Sequence, residues 1–382
     1  METTFMEKDG VLRRITSRNS RIEVPACVTA ILPHAFQGCE LAEKIILPSD
    51  LSRLCPEAFN DCRQLTSIEI SRESPNFSCS DGILYSKDQT RLIRCPMGRK
   101  GSVQVPEGVR IIEEGAFRGC KGISSLHFPD SIRELRAKAL AGCKGLTRLV
   151  IPANVAKIPS WCFEHCTELK SVQLPEGVRK IRSHAFDGCK ELVSCPLPAK
   201  LRFLGSGAFR GCSSLREVVL PQGMKEIGSA AFSGCGALTR VEIPDTVIDL
   251  GLDTFSSCTS LKQVRIPERA AVIDMGCFSK CTGMESVEFP ENLRCIAWQG
   301  FSNCTGLKTL QIPSGMREIQ SWAFSGCTSL QTVLLPDALQ LIQKHAFEGC
   351  ICLKQVELPE GCVAEHGAFP PDCQILQAET AL

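Results

Sequence analysis

The sequence has no long apolar run, no excess of either charge and a single tyrosine, and the first two absences exclude whole classes of function. No stretch approaches the roughly 18 apolar residues that a membrane-spanning helix needs. The opening METTFMEKDG carries charges and no apolar core, so no secretory signal is read there. The closing QAETAL has no anchor or lipidation box. These features predict a cytoplasmic protein, with the cell surface, reached by an unrecognised route, as the alternative. Lys and Arg number 43 against 42 Asp and Glu, a net charge of +1. That balance argues against a nucleic-acid or anionic-membrane surface, which needs a basic excess on one face, although a local basic patch is compatible with a neutral total.

What the chain has in abundance is periodicity. Its 382 residues would ordinarily mean two or three domains, but a repeat array escapes that limit because each unit touches only its neighbours. Phe59 follows Phe36 by 23 residues, and from Phe117 the step of 23 recurs through Leu140, Phe163, Phe186, Phe209, Phe232, Phe255, Phe278, Phe301, Phe324 and Phe347. Three residues after each stands a cysteine, from Cys39 to Cys350; Cys373 keeps the step, although Phe369 lies four residues before it. Chance does not hold such a register over eleven consecutive units.

One unit shows the grammar: Ala208-Phe209-Arg210-Gly211-Cys212, then Leu215, Val218, Leu220-Pro221, Met224 and Ile227. Val218 and Leu220 flank an outward residue, the period of a strand with one buried face. Pro221 has no N–H to give a ladder and ends the strand. Gly211 suits a turn that needs positive φ. A unit of 23 residues leaves no room for a long helix, so each coil is one short strand, a second extended or 3₁₀ stretch, and turns. Roughly fourteen coils stacked at about 4.8 Å are expected, with Phe on Phe and Cys on Cys inside.

Segments such as AFRGCSSLREVVLPQGMKEIGSAAF and AFSGCTSLQTVLLPDALQLIQKHAF resemble the BspA-type, or Treponema pallidum type, leucine-rich repeats. The resemblance spans residues 20–375. It implies a repeat solenoid with a curved parallel β-sheet, associated with surface proteins, adhesion and protein–protein contact, and it carries no catalytic residues to transfer.

The register breaks once. Phe59 to Phe117 is 58 residues, and between them Gly82–Tyr85 and Arg91–Arg94 flank a turn, a strand–turn–strand. Inserts containing DGxLY occur in proteins of the resembled family. The region 71–105 is read as an enlarged coil, with a protruding binding hairpin around Tyr85 as the alternative. Residues 1–30 read as an N-terminal cap, 31–362 as the solenoid and 363–382 as the C-terminal cap and tail, where Glu365 stands in a place expected to be apolar.

The 24 cysteines admit disulfides, metal or packing. In-register stacking does not supply the converging Cβ geometry of a disulfide, so the ladder reads as core, and many free thiols favour a reducing compartment. Cys162 and Cys277 read as small fillers, and no close-spaced pairs converge for zinc. No cofactor is expected. Trp161, Trp322, His184 and His345 share one slot two residues before the ladder aromatic, which marks a structural corner. No Ser or Cys nucleophile box accompanies the histidines, so no enzyme is expected. Binding is assigned to the outward face of the long strands at Glu217, Arg240, Glu242, Gln263, Arg265 and Glu288. Arg265 is expected between Glu242 and Glu288, and Arg240 beside Glu217. Aromatic anchors, the usual hot spots, are missing from that strip. The expected protein is a monomeric binding or scaffolding protein whose partner is another protein, with a BspA-like cell-surface adhesin that binds host or neighbouring-cell proteins as the alternative.

Overall fold

The computed structural model describes residues 3–377 and is a parallel β-solenoid of about 16 turns of about 23 residues. Fourteen turns carry the Phe or Leu of the ladder. The other two carry Ile15 and Cys95 in its place: their N–H groups reach Ala35 O at 2.6 Å and Ala116 O at 2.8 Å, as Phe36 N–H reaches Ala58 O at 3.2 Å. No α-helix occurs among the described residues; the helical element is a 3₁₀ turn at Pro56–Phe59. The chain divides into two compact units, residues 1–178 and 179–382.

In the second unit a coil runs from a three-residue strand such as Glu217–Val219 through a proline turn to a two-residue strand such as Glu226–Ile227. Val218 is buried between exposed Glu217 and Val219, as the alternation demands. Equivalent long strands pair in parallel at a step of 23, Glu217 with Arg240 and Val219 with Glu242. The short strands build a second parallel ladder, Val272–Ile273, Cys295–Ile296, Glu318–Ile319, Leu341–Ile342 and Val363–Ala364. Between the two ladders Phe186, Phe209, Phe232, Phe255, Phe278, Phe301, Phe324, Phe347 and Phe369 form one column. Centroids lie 5.0–5.5 Å apart and planes within 9° of parallel.

The cysteines do more than fill space. Cys235 Sγ donates to Phe209 O at 3.2 Å, and the same carbonyl accepts the Cys212 N–H at 3.1 Å. The pattern recurs from Cys258 to Phe232 and from Cys281 to Phe255. A thiol is small enough for the column and still satisfies the second lone pair of a buried carbonyl, which alanine or valine would leave bare.

Most coils also turn two left-handed corners. One precedes the cysteine, as at Gly211, φ 68°. The other lies two residues before the aromatic, where Ala230 (55°), Trp322 (62°) and His345 (63°) take a conformation unfavourable for side-chain-bearing residues. The slot shared by the tryptophans and histidines is therefore a backbone corner.

The first unit opens with a hairpin, Thr4–Lys8 on Val11–Thr16, turned by Asp9-Gly10 with both φ positive, the preference of a two-residue type I′ turn. Val11–Leu12 then pairs in parallel with Ala30–Ile31, so the cap is a hairpin joined to the short-strand ladder. The 71–105 insert repeats the device. Phe77–Ser80, Ile83–Ser86 and Arg91–Arg94 form an antiparallel meander turned by Asp81-Gly82, and its last strand joins Ile111–Ile112 in parallel. Tyr85 is 2 % exposed and belongs to the core, so its ring is not offered to a partner. Arg94, 1 % exposed, donates from Nη1 to Gly115 O at 2.5 Å and from Nη2 to Arg118 O at 3.3 Å.

At the C-terminal end Val363–Ala364 and Gln374–Gln377 continue both ladders, so residues 363–377 complete a coil. Ile342 pairs with Ala364, which places Glu365 level with Gln343, in a polar slot. Its Oε2 accepts the Lys344 N–H at 2.7 Å. The apolar place of this coil belongs to Ala364, opposite Ile342, because Phe369 stands four residues before Cys373 instead of three. The rest of the expected tail, 378–382, lies outside the described residues.

Candidate interaction surfaces

The strand face of the second unit presents Glu217, Arg240, Glu242, Gln263, Arg265 and Glu288, all exposed. The backbone register places Arg240 beside Glu217 and Arg265 beside Glu288. The ion pairs run elsewhere. Arg240 Nη2 meets Glu242 Oε1 at 2.5 Å along its own strand. Arg265 leaves the strip for Asp245, with Nη1 and Nη2 at 2.9 and 3.3 Å, and for Glu268 at 3.0 Å. Asp245 is the better partner because it is already fixed by the Glu268 N–H at 2.9 Å and offers both oxygens to the guanidinium fork. That N–H and the guanidinium hold the Asp245 carboxyl below the usual carboxylate range. The expected rungs from Arg265 to Glu242 and Glu288, and from Arg240 to Glu217, are thus replaced, and the strip's arginines are already engaged.

Among the described residues, five of the fifteen exposed large apolar side chains fall within residues 248–298 of the second unit. Three occupy one slot on successive coils, three residues before the ladder phenylalanine: Leu252, Met275 and Trp298, 41–45 % exposed. Backbone bonds hold this edge in order, Asp253 N–H to Met275 O at 2.9 Å and Gly276 N–H to Trp298 O at 3.0 Å. The Trp298 N–H is fixed by Gln320 Oε1 at 3.2 Å. On the next two coils, one position along the chain, the Trp322 and His345 rings stack at 4.5 Å. The aromatic anchor missing from the strip therefore lies on this edge, at Trp298. The signal of this edge was readable: other coils place Ser206, Ser229 and Ser321 in the slot of Leu252, Met275 and Trp298.

The first unit has a different surface. Arg63, Lys100 and Lys121, with Met97, line one groove, and Arg118 and Lys144 line its neighbour. A basic patch does sit inside the neutral total. Among the described residues no group of three or more His, Cys, Asp or Glu is placed to hold a metal, and Cys162 and Cys277 are fully buried.

A family model for the BspA type leucine rich repeat region, in six copies, matches residues 15–87, 99–213, 179–281 and 250–376. The chain belongs to the BspA-type leucine-rich-repeat family. Its fold is similar to that of a leucine-rich repeat protein from Bacteroides ovatus, at 23 % identity and TM-score 0.68, covering 99 % of this chain and 98 % of the other. It is also similar to a leucine-rich cell surface protein from Faecalibacterium prausnitzii, at 20 % identity and TM-score 0.52, with 99 % and 94 % covered. No curated protein matches the chain significantly.

Proposed function

We propose that this BspA-type protein is a non-enzymatic scaffold that binds another protein, and that it does so through the Leu252–Met275–Trp298 edge. The observation that supports this reading is the stack of three exposed apolar side chains on consecutive coils, where solvation alone favours serine. Exposed apolar clusters of this kind mark contact sites on soluble surfaces, and tryptophan is a preferred anchor. The test is a photo-crosslinking residue placed at Met275 or, separately, at Glu217 in the full chain expressed in its native cells. A single crosslinked species from position 275, lost in Leu252→Ser/Trp298→Ser, is expected. A species from position 217 alone would move the site to the strand face.

The compartment is a separate proposal. Twenty-four free thiols favour the reducing cytoplasm. The likeness to the F. prausnitzii cell surface protein favours export. Protease shaving of intact cells decides: a protein degraded before lysis is on the surface.

A further inference from the structure

Next to the apolar edge two acidic side chains meet. The outward residue six before the ladder aromatic lies beside the residue four before it on the next coil, and two such pairs elsewhere in the chain are complementary. Glu318 accepts from the Gln343 amide, and Arg91, in register with Ile111, meets Glu113 at 2.5 Å. Here the two residues are Asp249 and Asp274, and their carboxyls face each other within hydrogen-bonding range.

Among the described residues, the groups that act on the Asp274 carboxyl include no cation. Asp249 Oδ1 accepts the Gly251 N–H at 2.8 Å. Asp253 lies over Gly276, Cys295 stands on the next strand, and Glu318 lies beyond it. Burial, then the facing Asp249, push the Asp274 carboxyl up to about 6. Two facing acids leave a place that a guanidinium or ammonium would complete, as Arg91 completes Glu113. The place is flanked by Leu252 and Met275 and continues to Trp298.

We propose that this edge docks a segment of the partner protein that sets an arginine or lysine on Asp249 and Asp274 and lays apolar side chains along Leu252, Met275 and Trp298. The inference rests on the protein-binding reading above and adds the chemistry of the partner. Charge complementarity selects a basic–apolar segment over an acidic one, because a carboxylate brought to two aspartates is repelled. The exposed area suits a short stretch of chain with a few anchors rather than a large obligate interface.

The experiment uses a displayed random 12-residue peptide library selected on the full chain at pH 7.5, with binders to Met275→Ser/Trp298→Ser removed. Enriched peptides should carry an arginine or lysine beside apolar residues. Their affinity should fall about tenfold in Asp249→Asn/Asp274→Asn and again on wild type when the pH is lowered from 7.5 to 5, as the pair takes up its proton. The double Asn variant keeps volume and removes like-charge repulsion, so its unfolding midpoint should hold or rise while binding is lost; a structural role for the pair would lower both. Edge-dependent peptides that lack a cation, or bind the Asn variant and pH 5 unchanged, overturn this inference and leave the protein-binding reading standing. Failure to enrich any edge-dependent peptide, together with no crosslink from position 275, overturns both.

Discussion

Replacing Phe232 by alanine tests the column on which everything else stands. Phe232 is fully buried and stacked on both sides, with Phe209 at 5.5 Å and Phe255 at 5.4 Å. Removing the ring forfeits roughly 2–3 kcal/mol of apolar burial and two aromatic pairs of about 0.5–1.5 kcal/mol each. The residual cavity adds to this, so a total near the usual 3–5 kcal/mol for Phe→Ala is expected. Phe369 is the internal reference: it stacks on Phe347 at 5.1 Å, closes the column and is 6 % exposed. With one pair fewer to lose, Phe369→Ala should cost about 0.5–1.5 kcal/mol less. Urea unfolding read by far-UV circular dichroism compares the two. Phe232→Ala should also broaden the transition, because weakening one nearest-neighbour contact in a repeat array uncouples the coils on either side. A loss below about 1 kcal/mol for Phe232→Ala, or equal losses at both positions, would refute a column stabilised by stacked neighbours.

The corners and the titrating core give two further predictions. Gly211→Ala meets no clash, since the nearest atom to the new Cβ is Gly188 Cα at 3.8 Å, so its cost is the left-handed backbone alone, about 1–2 kcal/mol. Ala230→Gly relieves the same strain less glycine's greater unfolded-state entropy, a gain of about 0–1 kcal/mol; thermal melts of the pair should move in opposite directions. Alkaline pH should unfold the protein cooperatively. Burial pushes Cys62, Cys166 and Cys235 up to about 12, against about 8.5 when unfolded. Each thiol stays protonated in the fold and ionises in the unfolded chain, so its contribution is complete below about pH 8.5 and is lost as pH rises towards 12, by about 2 kcal/mol at pH 10. Tyr85, the single tyrosine, has its phenol pushed well above its ordinary value by burial. Its 295 nm absorbance should therefore rise together with the loss of circular dichroism, and ionisation near pH 10 with the fold intact would contradict its place in the core.

The fold was legible because a solenoid writes its geometry once per coil. The 23-residue step, the proline after the strand and the Phe-x-x-Cys spacing each map onto a feature of every turn. What repetition did not reveal was anything that depends on reach. The register placed Arg265 beside Glu288, but a long flexible side chain finds the best-fixed carboxylate within its radius, and that was Asp245, held by a backbone N–H. The thiol–carbonyl bonds were hidden for a similar reason: a cysteine ladder looks the same in sequence whether the sulfur fills space or donates. Tyr85 and Arg94 were obscure because the insert departs from the repeat, so no neighbouring coil indicated which of its faces is buried.

The same logic locates specificity. Positions that recur are explained by the coil: phenylalanine by the column, cysteine by the carbonyl, histidine and tryptophan two before the phenylalanine by a corner that tolerates several side chains. A residue that departs from its column without serving the coil calls for another cause. Leu252, Met275 and Trp298 replace small polar residues and stay in water, at a solvation cost that the backbone does not require. Asp249 and Asp274 set two carboxyls face to face beside them. Both features fall on the same edge of the same coils, and that coincidence is the physical ground for placing the partner there rather than on the strand face, whose arginines already have partners.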